Sequence, residues 1–136
     1  MSDELLQKFQ GRMMPFGNYL GIKLTEVTPD VIRAVVPMRE ELSTHPGIMH
    51  GGALMGIADN LGAIGTVVNL EQGKSTTTIE SKTNFLSGLP QDQTAHAVSI
   101  PLHKGRTTHV WQTTISRDDG KVCAIITQTQ LVLERR

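Results

Sequence analysis

The sequence predicts an α+β domain in which a curved antiparallel sheet wraps around one long central helix. Three observations predict it. Residues 51–69 are helical in pattern and apolar or small almost all round, and a helix of that kind must be covered on most sides. Two strand-like runs precede it and four follow, rich in Val, Ile and Thr. The links between the later runs are short, which favours antiparallel neighbours over the long crossovers of a parallel sheet.

The elements follow in chain order. Residues 2–12 place Leu5, Leu6 and Phe9 at helical spacing behind a cap-like Ser2-Asp3 and end near Gly11, which predicts a short helix. "PFGNYLG" reads as a turn-rich link. "IKLTEVT" and "VIRAVVPM" read as two strands parted by Pro29-Asp30. The second alternates, with Ile32, Ala34, Val36 and Met38 on one face and Val31, Arg33 and Val35 on the other, the period of a half-buried strand. "REELSTHPG" reads as a loop before the central helix. Strands are then expected in "STTTIESKTNFL", "QTAHAVSIPLHK", "RTTHVWQTTIS" and "KVCAIITQTQLVL". Gly105 breaks the middle two, and Asp119-Gly120 signals a hairpin before the last.

The totals narrow the class. A length of 136 residues fits one domain, taken as 1–136. Hydrophobic residues make up 38% and charged residues 19%, the balance of an ordinary globule rather than a disordered chain. Thirteen basic residues cancel thirteen acidic ones, so no global field draws in nucleic acid or an anionic membrane. No apolar run is read as reaching the ~18 residues of a membrane span. The acidic-polar N-terminus does not resemble a signal peptide, and the single Cys123 cannot close an internal disulfide. These features make a cytoplasmic location the expectation.

Asp59 stands out. It is the one carboxylate in the apolar stretch "ALMGIADNLGAIGTVV", and no Lys or Arg lies one helical turn away to pair with it. A buried carboxylate without partners is expensive. Asp59 therefore lies on an exposed strip of the helix or serves as a catalytic carboxylate in a cleft. At the helix start, His50-Gly51-Gly52 leaves backbone N–H groups uncovered where the helix dipole adds positive potential. Such N–H groups stabilise a developing oxyanion. Gly51 and Asp59 are eight residues apart, or about 12 Å along one helix, whereas reacting groups must approach to about 3 Å. One helix cannot bring both to one carbonyl. Two antiparallel helices from two subunits can, so a functional pair requires at least a homodimer with two equivalent sites.

Residues 15–133 resemble the hotdog-fold acyl-CoA thioesterases of the phenylacetate-degradation (PaaI-like) branch. The likeness rests on "PFGNYLGIKLTEV", "HPGIMHGGALMGIADNLGA", "NFLSG", "KGR" and "DGKVCAIITQTQLVL". It implies a hotdog fold, a dimer often doubled into a homotetramer, and hydrolysis of an acyl-CoA thioester without metal or prosthetic cofactor. Carried over by position, Asp59 is the nucleophile or general base. The Gly51 N–H polarises the carbonyl from the other subunit, and His50 belongs to the substrate-binding motif. A Ser or Thr in the next strand holds substrate or water, a position that falls on Thr78, with Thr77 as the one-residue register alternative. The chain departs from the pattern where many relatives carry Asn six residues before the motif's His. Thr44 stands there, followed by His45, and either could supply the donor.

The remaining candidates are weaker. Lys104 and Arg106 flank Gly105 and could contact CoA phosphates as charge-assisted donors. Glu80 is a second carboxylate, read as an exposed strand residue. His96, His103 and His109 read as polar-face strand residues, and Cys123 as a buried thiol. His45 and His50 lack a third ligand pattern, so no metal is expected. There is no GxSxG, and "GKST" lacks the first glycine of a phosphate loop, with Val at position 68. Two alternatives stay open: a hotdog dehydratase of 3-hydroxyacyl thioesters using His50 with Asp59, and a non-enzymatic acyl-CoA-binding protein.

Overall fold

A computed structural model describes residues 2–45 and 47–134. The chain begins with α1 (Ser2–Gly11) and a second helix, α2 (Pro15–Leu20), followed by β1 (Lys23–Thr28) and β2 (Val31–Pro37). A single 3₁₀ turn (Glu40–Leu42) leads into the small hairpin β3 (Ser43–His45) and β4 (Ile48–Met49). The central helix α3 (Gly51–Asn69) comes next, and β5 (Lys74–Phe85), β6 (Thr94–Lys104), β7 (Thr108–Ser116) and β8 (Val122–Glu134) complete the chain.

Six strands form one antiparallel sheet in the order β1-β2-β6-β7-β8-β5. Alternation decides which side chains face the helix. Ile32, Ala34 and Val36 of β2, Ala95, Ala97 and Ser99 of β6, and Trp111, Thr113 and Ile115 of β7 are all buried. α3 lies across this concave face and touches all six strands. Ile57 and Leu61 are fully buried there, each contributing about 1.5–3 kcal/mol over exposure. Truncating either to Ala would cost about 2–5 kcal/mol through lost transfer energy and a cavity.

Two glycines on α3 are required by close approach. A Cβ at Gly65 would lie 2.5 Å from the Trp111 ring, and one at Gly62 would lie 2.3 Å from the Gln128 side chain. The helix therefore tolerates its propensity penalty so that two large side chains can lie flat against it.

Several expectations are corrected. "PFGNYLG" is not a plain link: Pro15 starts α2 at a position where its missing N–H costs nothing, and Gly21 ends it at φ 82°. The loop before α3 contains the β3–β4 hairpin; its Pro46 lies outside the described residues, as does the Ser2 side chain expected to cap α1. By length and composition α3 could cross a membrane, contrary to the expectation that no run is long enough, and 56% of its apolar window is buried inside this chain's own sheet. His109 is not on the polar face. It shares the helix-facing side of β7 with Trp111 and is buried. Cys123 is buried as expected.

Candidate active site

Asp59 sits midway along α3 on its exposed strip, because Ile57, Ala58, Asn60 and Leu61 take the buried directions around it. Its carboxylate is nevertheless held. Thr78 Oγ1 lies 2.7 Å from Oδ1, and Gln128 Nε2 donates to the same oxygen at 3.2 Å and to the Asp59 carbonyl at 3.3 Å. Among the described residues Oδ2 has no hydrogen-bond partner, leaving one oxygen of the carboxylate open to a water or a substrate.

The support extends behind it. Gln128 and Gln130 are fully buried on the helix-facing side of β8, an unusual place for two glutamines. Gln128 Nε2 also donates to Gln130 Oε1 at 3.0 Å, and Gln130 Nε2 donates to Thr76 Oγ1 at 3.1 Å. Thr78 faces Gln130 across the β5–β8 ladder, with Oγ1 to Oε1 at 2.5 Å. One hydroxyl proton thus meets two acceptors and serves one at a time. When that proton goes to Asp59, Gln130 Oε1 still accepts from the Gln128 amide.

Alternation on β5 separates Thr78 from Thr77. Thr78 is turned to the helix and Asp59, and Thr77 is exposed on the opposite side. Glu80 accepts a hydrogen bond from Thr129 at 3.0 Å on the outward face and does not join Asp59.

At the start of α3, His50 is the N-cap, and its Nδ1 accepts the Gly52 N–H at 2.7 Å. That bond fixes the neutral tautomer with hydrogen on Nε2. It also consumes the Gly52 donor, whereas the Gly51 N–H has no partner among the described residues. The Phe85 ring lies 3.0 Å from where a Gly51 Cβ would stand, so a side chain there would collide with an aromatic wall beside the free donor. Thr44 and His45 are both exposed in β3, one short hairpin ahead of His50. Gly51 and Asp59 of one chain remain about 12 Å apart along α3, so a single chain does not assemble them.

Lys104 and Arg106 lie away from Asp59. Lys104 Nζ reaches Asp30 Oδ1 at 2.8 Å and Asn69 Oδ1 at 3.1 Å, which ties the β6–β7 turn to the far end of α3. Arg106 is exposed and, with Lys74 and His109, lines a cleft of about 420 Å³. Among the described residues no three His, Cys, Asp or Glu side chains converge as a metal site would need.

Sequence reasoning missed Gln128 and Gln130. The signal was available: "ITQTQL" puts two amides at strand period 2 on the face that Ile126 commits to the core.

A six-stranded antiparallel sheet wrapped around one long buried helix defines a hotdog domain. The thioesterase superfamily model matches residues 46–124, and the chain belongs to that family of thioester hydrolases. It is 31% identical over 118 residues to the esterase-named PA1618 of Pseudomonas aeruginosa, covering 86% of this chain and 81% of that one. The crystal structure of a mutant form of that thioesterase superposes with a TM-score of 0.89, covering 95% and 94% of the two chains at 29% identity. Thioesterase HI1161 of Haemophilus influenzae superposes with a TM-score of 0.86 at 25% identity, covering 98% and 91%. The proofreading thioesterase EntH of Cronobacter turicensis is 28% identical over 105 residues, covering 77% of this chain and 76% of that protein.

Proposed function

We propose that the protein hydrolyses an acyl- or aryl-CoA thioester to the free acid and CoA, with a PaaI-like active site shared between two subunits. The observation that carries the reading is the Asp59 carboxylate, gripped on one oxygen by Thr78 and Gln128 and open on the other. The Gly51 N–H of the second subunit polarises the thioester carbonyl. Asp59 then either takes a proton from water as that water attacks, or attacks the carbonyl itself to give an acyl-enzyme anhydride that water opens. In both routes the carbonyl oxygen gains charge against Gly51 and the C–S bond breaks, with CoA leaving as the thiol once protonated.

The free edge of β5 supports the pairing. Antiparallel α3 helices related by a two-fold axis bring the start of one to the middle of the other. They also carry the second subunit's Thr44, His45 and His50 toward Asp59, where they would hold water or substrate. Lys104 and Arg106 would meet CoA phosphates at the rim, with no metal or cofactor taking part. Doubling of the dimer into a tetramer and a cytoplasmic location complete the reading.

The test is thiol release from a panel of acyl- and aryl-CoA esters by wild type and Asp59→Asn. Release by wild type, reduced about 10²–10⁴-fold in a folded variant, is expected for loss of a catalytic base. Equal release by both would remove Asp59 from the mechanism. Enoyl product without free thiol would show a dehydratase, and saturable binding without turnover a binding protein. A single turnover in heavy-oxygen water separates the two Asp59 routes: label in the Asp59 side chain marks the covalent one.

A further inference from the structure

A groove of about 580 Å³ runs from the active-site helix to the N-terminal segment. Its apolar lining includes Phe9 and Met13 on one side and Ala63 and Val67 of α3 on the other. Ala63 and Val67 lie one and two turns beyond Asp59, about 6 and 12 Å along the helix. Thr76, which accepts from Gln130, closes the wall on β5. Asp59, Thr78 and Gln128 do not themselves line it; the groove starts one turn beyond Asp59 on α3 and is of ligand-pocket size.

Its charge is one-sided. Among the described residues three cations line it, Lys8, Arg12 and Lys74, and no carboxylate does. Lys74 is answered by Glu134, and the Lys8 ammonium stands 5.8 Å from the Phe9 ring centroid. The Arg12 guanidinium has neither ion pair nor hydrogen bond among the described residues. In a chain with as many acidic as basic residues, an apolar trough with this rim is complementary to an apolar ligand that ends in an anion.

Resting on the thioesterase reading above, we propose that this groove receives the acyl part of the substrate and that Arg12, at its rim, selects acyl groups whose far end carries a carboxylate. The thioester lies at Asp59, the chain runs over Ala63 and Val67, and the terminal carboxylate meets the guanidinium. A medium-length ω-carboxyacyl thioester fits this description. A neutral acyl chain of equal length would fill the trough but leave Arg12 unanswered.

The experiment compares suberyl-CoA with octanoyl-CoA, which differ by the terminal carboxylate on equal chains. Thiol release is measured for wild type, Arg12→Gln and Arg12→Lys, and binding of the hydrolysis-resistant thioether analogues by calorimetry. The expected result is a kcat/KM at least tenfold higher for suberyl-CoA, erased by Arg12→Gln, partly kept by Arg12→Lys, with octanoyl-CoA turnover unchanged throughout. Equal rates for the two esters in wild type would overturn the proposal. So would an Arg12→Gln variant weakened equally on both, since the cation would then serve the CoA phosphates. Tighter, Arg12-dependent binding of the suberyl analogue without turnover of any ester would sustain the groove while sinking the hydrolase reading. Turnover of neutral esters with no preference in binding would do the reverse.

Discussion

The two edges of the sheet are finished differently. β1 is six residues long, is bulged between Leu24 and Glu26, and is covered by α1. The Gln10 side chain does the covering: Nε2 donates to the Ile22 carbonyl at 3.1 Å, and Oε1 accepts the Leu24 N–H at 2.6 Å. One amide thus stands in for a missing strand. β5 is twelve residues long and carries exposed Ile79 and Phe85. Among the described residues no element pairs with its outer edge. A long uncovered edge presents unpaired N–H and C=O groups and is a template for another strand. On the shared-site reading proposed above, the open edge is where a second copy would pair, because it also bears Thr78 beside Asp59.

The largest effect is expected from closing that edge. Ile79 is exposed and falls at the bulge where the β5–β8 register skips from Thr78 to Glu80, a position on an edge strand where proline is tolerated. Ile79→Pro should move the protein from dimer to monomer in sedimentation velocity and abolish thiol release, with the circular dichroism spectrum retained. A monomer that keeps full activity would break the shared-site reading. Gln128→Leu acts on the inner side of the same edge. It removes one of the two side-chain donors that hold the Asp59 carboxylate. The rate at neutral pH should fall about tenfold, the worth of one hydrogen bond to a charged group. An unchanged rate in the folded variant would make Gln128 a packing residue instead.

How much of this was legible follows the same division. The helix from Gly51 to Asn69 and the six sheet strands were readable because periodicity is a local property of the side chains. Asp59 was readable because a lone charge in an apolar helix needs a reason. α2 was not, because six residues are too few to show a period and its Pro and Gly look like turn punctuation. The carboxylate's partners were not either: Gln128 reaches Asp59 across 69 positions of sequence. The bulge at Ile79 left only local geometry behind, and it took the fold to show that Thr78 rather than Thr77 turns inward.

The covered edge supplies the control. Gln10→Ala strips the β1 edge of its substitute partner and leaves the Leu24 N–H and Ile22 carbonyl to water. Since this site is only part-buried, stability should fall by about 1–2 kcal/mol in urea denaturation. Thiol release per folded molecule and dimer size should not change. A new, larger oligomer would show that Gln10 guards the edge as well as stabilising it.

Between the edges, His109 provides the smallest and most specific effect. Its imidazole is held below the ordinary value of 6.5, first by burial, then by the charges of Lys104 and His103, against an opposing hydrogen bond with the Gly105 backbone. The folded chain therefore keeps His109 neutral where the unfolded chain takes up a proton. The sign follows: stability from this group is complete above 6.5 and is lost as pH falls below it, since the unfolded state binds more protons there. His109→Gln removes that term. Urea midpoints measured across this range should slope less steeply with pH in the variant than in wild type, and converge on a common slope at high pH. Parallel slopes throughout would mean that His109 titrates alike in both states, and that the β6–β7 turn is open to water in the middle of the sheet.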